Sequence, residues 1–485
     1  MSKSAGTTEG TEFIKALGLR DVAAMTLVGV VSLRWISRAA RMGAPSVTLW
    51  FFAWISFFLP LAAAVCELSS RYPEQGGLYA WARRAFGPAH GFVCGWCLWV
   101  NNLFWYPSLL LFAAANALLV FGGSLSWLAD SRLYSVAFVI VMLWFSVGLN
   151  ILGLSRSKWL QNIGSIGIWL PAGLLIIFGA IAFTWFGSAT SFAPRELLPR
   201  HDILTTISLW SAICFAFSGL ELTSLVGQEV KNPKRNLPRG VMIAGLAATL
   251  IYVAGSVSVL VAVPSKALLE RSGIADAIEL ASGRIGLGGF GPLTGALLAL
   301  GAVAMNNSWF AGAARVPFAA GVDRALPAVF ARIHPRYRTP HVVLVFQGLA
   351  ASLIFLVSLF FTVGGARTSI QEAYDIMVNL TILIYFLPYL YLFISLVRLR
   401  ARDSRENNAA QYRVPGGRVG LWFVAGAGGI ATAVSLGLVF VPPPGTGNVL
   451  NYETNLIGQA LIILAIGFIL YRRKSSIPAA QGRIP

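Results

Sequence analysis

Two short stretches place charge and conformational freedom where the surrounding chain is apolar. In "LVGVVSLRWISRAAR", Gly29 and Ser32 precede Arg34, Arg38 and Arg41 within one run that begins as a membrane-like segment. In "FAFSGLELTSLVGQEV", Ser218, Gly219 and Glu221 interrupt another. A guanidinium or carboxylate among apolar residues costs about 2.5–3.5 kcal/mol on insertion scales unless it meets water or a partner. Arg38 and Arg41 can snorkel from a span's outer end; Arg34, about two turns deeper, has no such escape. Bond-making chemistry finds little support beside these groups. There is no Gly-x-Ser-x-Gly, no His-Glu-x-x-His and no aspartate pair within an apolar run, so a nucleophile with its base, or a catalytic metal, is not expected. His90, His201, His334 and His341 are scattered, which leaves no metal site. "CGWC" at 94–97 has redox spacing but opens an apolar run, where small residues at i and i+3 serve packing. The residues therefore fit the capture and release of a small charged solute, with no enzyme activity and no cofactor expected.

The elements that must hold these residues follow from composition. Of 485 residues 56% are hydrophobic and only 12% charged, the mean hydropathy is +0.71, and soluble domains carry about a quarter charged residues. Windows of about 20 apolar residues, enough to cross the hydrocarbon as helix, give about twelve spans. They cover 21–42, 45–69, 89–121, 132–153, 158–186, 203–228, 237–263, 290–321, 340–362, 372–397, 418–441 and 453–472. Continuous apolar runs exclude the alternation of a membrane strand, so the class is an all-α polytopic membrane protein. A polar 1–20 without a cleavage pattern predicts no signal peptide. The expected organisation is one transmembrane domain over 21–472, with cytoplasmic tails at 1–20 and 473–485.

The net charge of +18 raises the question of nucleic acid. The basic residues are distributed over many loops and concentrate on one side of the spans, which is the positive-inside pattern and not a single basic face. They set topology and touch anionic lipid headgroups; both termini are expected in the cytoplasm, in a cell (inner or plasma) membrane, and no nucleic-acid partner is expected.

Irregular backbone at membrane depth survives only where it lines a cavity or is buried in protein. The Gly29–Ser32–Arg34 group lies in span one and the Ser218–Gly219–Glu221 group in span six, five spans apart. Glycine is also common at close helix contacts, but paired breaks in corresponding places point to a transporter's repeats and central site.

Three longer motifs follow in order: "ELSSRYPEQGGLYAWARRAFGPAHGF" from Glu67, "FSGLELTSLVGQEVKNPKRNLPRGV" from Phe217 and "AARVPFAAGVDRALP" from Ala313. With them the chain resembles the amino acid–polyamine–organocation permease superfamily along nearly its whole length. The "SLR" of the first break also looks like the glutamate/GABA-antiporter-like branch. The resemblance implies a five-plus-five inverted-repeat fold of the leucine-transporter type, with repeats over 21–186 and 203–397, helices one and six broken, and two helices added over 418–472. It also implies a small amino acid or amine as substrate.

Carried over from the resemblance, the substrate carboxylate lies on the amides of Ser32, Leu33 and Arg34, and the amine on carbonyls of Gly29, Val30, Phe215, Ala216 and Phe217. Gly219 belongs to the second break, and Phe215 matches the gating aromatic. The family's Gly-Ser-Gly is replaced here by Ser32–Leu33–Arg34, so Arg34 either takes the carboxylate bidentately or pairs with Glu221 across the two breaks. Glu221 is a proton carrier or a structural cap. The lysine that some members place midway along span five is Ile168 here, leaving exchange, a proton on Glu221, or sodium near spans one and eight as coupling. Asn102 and Trp105 in "WVNNLFWYP", and Asn306 in "MNNSW", either bond between helices or contact substrate. The expected function is a secondary permease for amino acids or related amines, by exchange or ion coupling. The alternatives are a polyamine or organic-cation permease and a sensor that binds without moving solute.

Overall fold

The computed structural model describes residues 13–122, 124–199, 203–263, 273–323, 325–360, 370–403, 412–440 and 449–475. The expected tails fall mostly in 1–12 and 476–485, outside the described residues. The chain enters through α1 (Leu19–Val30) and α2 (Arg34–Ala40), two helices bent by 42° at residues 31–33. Then come α3 (Pro45–Ala53) and α4 (Leu59–Arg71), joined by a π turn over Trp54–Phe58. That turn sits directly before Pro60, whose ring and missing N–H do not fit a regular ladder. A short α5 (Leu78–Phe86) leads to α6 (Pro88–Leu118), α7 (Arg132–Ile151) and α8 (Leu154–Phe186).

The second half of the chain begins with α9 (Ile203–Ala216), followed by α10 (Pro233–Ala262), α11 (Ile274–Arg284), α12 (Gly291–Val322), α13 (His341–Phe360), α14 (Ile370–Asp403), α15 (Gly417–Leu438) and α16 (Val449–Ser475). Among the described residues nine helices are long and apolar enough to cross a membrane, ten if the bent pair is one span, while Ile203–Ala216 and Ala460–Arg472 are shorter apolar stretches. This is a multi-pass helical membrane protein. The helices α6, α12 and α14 are the most enclosed, and α7, α13 and α15 turn most of their surface outward.

The two breaks differ in form. At the first, Val31 leaves the helix in extended backbone and a second helix restarts at Arg34. At the second, α9 stops at Ala216, Gly219 takes a φ of +105°, and the chain continues only as 3₁₀ turns over Leu222–Leu225 and Gly227–Glu229. The predicted helical second half of span six is therefore corrected. Glycine alone adopts that φ without a Cβ penalty, and the repeated Gly227 and Pro233 leave no uninterrupted run in which a helix could restart before α10.

The three quoted motifs meet at one ion pair. Arg315 on α12 donates from Nε and Nη2 to the two carboxylate oxygens of Glu229 at 2.9 and 3.1 Å, and both side chains are buried. Gln75 adds Nε2 to Glu229 at 3.0 Å and receives the Gln228 amide at 3.1 Å. The Glu229 carbonyl accepts the amides of Ala16 and Leu17, and the Lys231 amide returns to Leu17, so the segment before α1 is tied to the same point. Removing one member strands a buried charge, whereas replacing both with apolar groups does not. Arg315→Met is expected to lower stability by about 3–5 kcal/mol, read as a fall in the thermal midpoint of the detergent-solubilised protein. The joint Arg315→Met/Glu229→Leu variant should recover much of the loss; a single variant as stable as the parent would refute the clamp.

Candidate functional site

The breaks abut. A Cβ on Gly219 would lie 3.0 Å from the Gly29 carbonyl oxygen and 3.1 Å from the Trp309 ring, and one on Gly29 would collide with Leu222. Both glycines are needed for this close approach. Against the seam lies a cavity lined by Gly29, Val30, Ser32 and Trp35 from the first break, Phe215, Ala216 and Ser218 from the second, Asn101, Asn102 and Trp105 from α6, Trp309 from α12, and Thr381 and Tyr385 from α14. It holds about 360 Å³ of atom-free space, of which about 30 Å³ is open to the centre of a water molecule, room for about two waters. No charged side chain belongs to the lining among the described residues.

Breaking a helix in an apolar interior frees peptide groups that must find partners, and side chains from the scaffold supply them. The Tyr252 hydroxyl on α10 accepts the Ser32 amide at 3.0 Å and places its one proton between the Val30 and Ala216 carbonyls, at 2.9 and 3.0 Å. One phenol thus joins both breaks. Trp309 Nε1 donates to the Gly29 carbonyl at 3.0 Å, and Ser218 Oγ to Phe215 at 2.6 Å. Four of the carbonyls expected to hold an amine are engaged by the protein's own donors here: Gly29, Val30 and Ala216 each accept one such bond and retain a second lone pair, while Phe215 accepts both the amide and the hydroxyl of Ser218. Among the described residues no side chain or other element takes the Leu33 and Arg34 amides.

Other expected residues stand behind the wall. Phe217 is fully buried with its ring against Trp50 and Tyr252, so it positions the tyrosine and does not line the cavity. Leu33 and Gly219 also lie outside the lining, the latter donating its amide to the Tyr389 hydroxyl at 2.9 Å. Asn306 points away and donates to Ser146 on α7 at 3.0 Å, which is an interhelical bond. Asn102 lines the cavity, its Nδ2 turned back to Leu98 at 2.7 Å. Phe215 stands edge-on to Trp35, Trp105 and Tyr385, with centroids at 5.6, 5.9 and 5.8 Å, which forms an aromatic cover on the α2 side.

The expected alternative of an Arg34–Glu221 pair is corrected. Glu221 accepts hydrogen bonds from Tyr385 and from Tyr389, two residues one turn apart on α14. Arg34 donates from Nη1 to Tyr374 at 2.7 Å and lies over the rings of Trp105 and Trp35 at 4.5 and 5.0 Å. Charge meets phenols and ring faces, which solvate a guanidinium without neutralising it. The tyrosines at 252, 374, 385 and 389 were not among the expected site residues. The signal on α14 was present: Tyr374, Thr381, Tyr385 and Tyr389 repeat at seven-, four- and four-residue steps, one face of a helix.

A family model described as amino acid permease matches residues 17–468. An uncharacterized transporter of Legionella pneumophila is 28% identical over 462 residues, 95% of this chain and 97% of that one. A probable agmatine/putrescine antiporter of Lactococcus lactis is 24% identical over 462 residues, covering 94% and 95% of the two chains. A glutamate/gamma-aminobutyrate antiporter of the same species is 24% identical over 430 residues, covering 86% and 82%.

Tyr252 offers a direct test of the seam. Tyr252→Phe keeps the ring against Trp50, where it stacks at 4.7 Å, and removes the one oxygen serving three backbone groups. Leaving buried polar groups unpaired costs about 1–3 kcal/mol, so a stability loss of that size, read as a lower thermal midpoint, is expected. An unchanged midpoint would show that the hydroxyl does not join the breaks.

Proposed function

The chain belongs to the amino acid permease family, membrane transporters and not enzymes, and from that premise we propose that it exchanges small amino acids or related amines across the cell membrane by alternating access. The observation that carries this reading is the small cavity at the seam of two helix breaks. Its aromatic and neutral polar lining suits a small solute whose charges are met by peptide dipoles, ring faces and groups just behind the wall. Two relatives named as antiporters support exchange over uniport.

The assigned roles follow the geometry. Gly29, Val30, Phe215 and Ala216 offer carbonyl lone pairs to an amine, which must compete with Tyr252, Trp309 and Ser218 for them. Ser32, Leu33 and Arg34 supply the opposite end, with Gly219 allowing the two breaks to meet. Phe215 closes the cavity as its gate. Asn102 and Trp105 face the solute; Asn306 does not. Glu221 acts as the proton site: Tyr385 lies in the wall and bonds Glu221 directly, so a proton passes between cavity and carboxylate through one phenol. At the opposite end the Glu229–Arg315–Gln75 clamp holds the path shut. Both termini lie in the cytoplasm, as the basic loops favour, and the outward apolar side chains face lipid. A second reading, a permease for polyamines or other organic cations, is favoured by the agmatine/putrescine relative and by the aromatic lining.

Reconstituted protein is expected to show counterflow: labelled amino acid should enter vesicles only when unlabelled amino acid or amine is inside. Solute binding without flux would instead mark a sensor. Glu221→Gln is expected to retain exchange at a single pH while flattening its pH profile. A profile that matches the parent's would remove Glu221 from coupling.

A further inference from the structure

Arg34 has an edge that nothing occupies. The residue is 9% exposed, and its Nη1 is held by Tyr374. Nε and Nη2 are buried and have no hydrogen-bond partner among the described residues. Those two nitrogens lie on the same side of the guanidinium, and their parallel N–H bonds match the two oxygens of a carboxylate. The same chain shows what that edge grips: Arg315 uses Nε and Nη2 on Glu229 at 2.9 and 3.1 Å.

An unpaired buried guanidinium edge is costly, and the contacts with Trp105, Trp35 and Tyr374 offset only part of that cost. Trp35 and Trp105 both line the cavity and both lie beneath the guanidinium, so these two rings are the partition between charge and solute. Trp105 also carries a buried indole N–H without a partner. Three spare donors, two of them on a cation, thus meet at one wall. What completes them is an acceptor with negative charge and two oxygens.

We propose that the Nε–Nη2 edge of Arg34 receives the substrate's carboxylate, reached when the Trp105 ring turns aside, and that it restricts exchange to amines bearing a carboxylate. This inference rests on the exchange reading above and adds the substrate class to it. An amino acid places its carboxylate on Arg34 and its ammonium toward the carbonyls of Gly29 and Phe215. A free diamine presents a second ammonium to the guanidinium and meets like charge. Tyr374 holds the far nitrogen, keeping the receiving edge turned inward before the solute arrives.

The experiment pairs each amino acid with the amine left when its carboxylate is removed: arginine with agmatine, ornithine with putrescine, alanine with ethylamine. Counterflow and thermal shift are measured on the full chain. The parent should prefer the amino acid of each pair by about 10- to 100-fold, the worth of a charge-assisted bidentate contact. Arg34→Ala should lose that preference by weakening the amino acid and not the amine, and Arg34→Lys, which keeps charge without the fork, should regain only part. Trp105→Phe, which keeps an aromatic face and removes the indole N–H, should lower the preference several-fold. Equal handling of acid and amine by the parent, or an undiminished preference in Arg34→Ala, would overturn the assignment while leaving exchange intact. The parent's own selectivity decides the matter even where Arg34→Ala does not fold. A parent that binds and moves neither class would remove the exchange reading as well.

Discussion

The structure depends on one constraint: a helix broken in an apolar interior needs partners for the peptide groups it frees. Tyr252 meets this demand at both breaks at once, bonding Ser32, Val30 and Ala216. Trp309 covers Gly29 and Tyr389 covers Gly219. Each of these side chains comes from α10, α12 or α14, so the irregular backbone is held by regular helices around it. Rigid elements carry the positioning groups and the unwound segments carry the peptide dipoles. That division lets the end of α1 and the turn after α9 lie in contact at Gly29 and Gly219.

The same economy governs charge. Glu229 and Arg315 neutralise each other directly, and this pair fastens the segment before α1, the loop after α4 and the end of the second break. Arg34 and Glu221 are treated differently. Each is surrounded by tyrosine hydroxyls or ring faces and neither meets an opposite charge among the described residues. A matched pair is a strong lock, while a charge solvated by neutral dipoles keeps capacity for a mobile partner. The paired charges accordingly sit where the chain closes on itself, and the unpaired ones sit one ring behind the cavity.

Much of this was legible from residue types. Gly29, Ser32 and Gly219 pointed to the breaks because close helix packing explains small residues but not the charges of Arg34 and Glu221 beside them, and a family model spanning 17–468 agrees with the resemblance read from the three motifs. The all-helical, multi-pass class was legible because hydrocarbon thickness sets the length of an apolar helix, and nine or ten helices among the described residues have that length. The partners were not. A tyrosine in an apolar span looks like core, so Tyr252 carried no mark that separated it from the other aromatics, and Tyr385 and Tyr389 were marked only by the polar face that they share with Tyr374 and Thr381 on α14. Phe215 and Phe217 are neighbours of identical chemistry, and only the turn at the end of α9 sends one to the cavity and the other against Tyr252. Asn102 and Asn306 are likewise the same amide on two helices, divided by rotation about each axis. The Arg34–Glu221 pair failed for a related reason: symmetry between breaks fixes which helices face each other but not the distance between side chains. The second half of span six failed because apolar content alone does not tell 3₁₀ turns from helix once Gly219 and Gly227 bracket the run.

A cavity with room for about two waters also limits how a solute can act. The carbonyls of Gly29, Val30, Phe215 and Ala216 are already hydrogen-bonded, so an entering ammonium adds to or displaces bonds that exist and does not fill empty ones. Its net gain is the difference between a charge-assisted bond and the neutral bond that it replaces. A ligand shifts a conformational equilibrium only by its differential affinity for the two states. Tyr252 joins both breaks through the same oxygen, so loosening its hold on one carbonyl relaxes its hold on the other segment too. A solute that competes for Val30 or Ala216 therefore acts on the seam between the breaks, and the contact that binds it is also the contact whose rearrangement allows them to move.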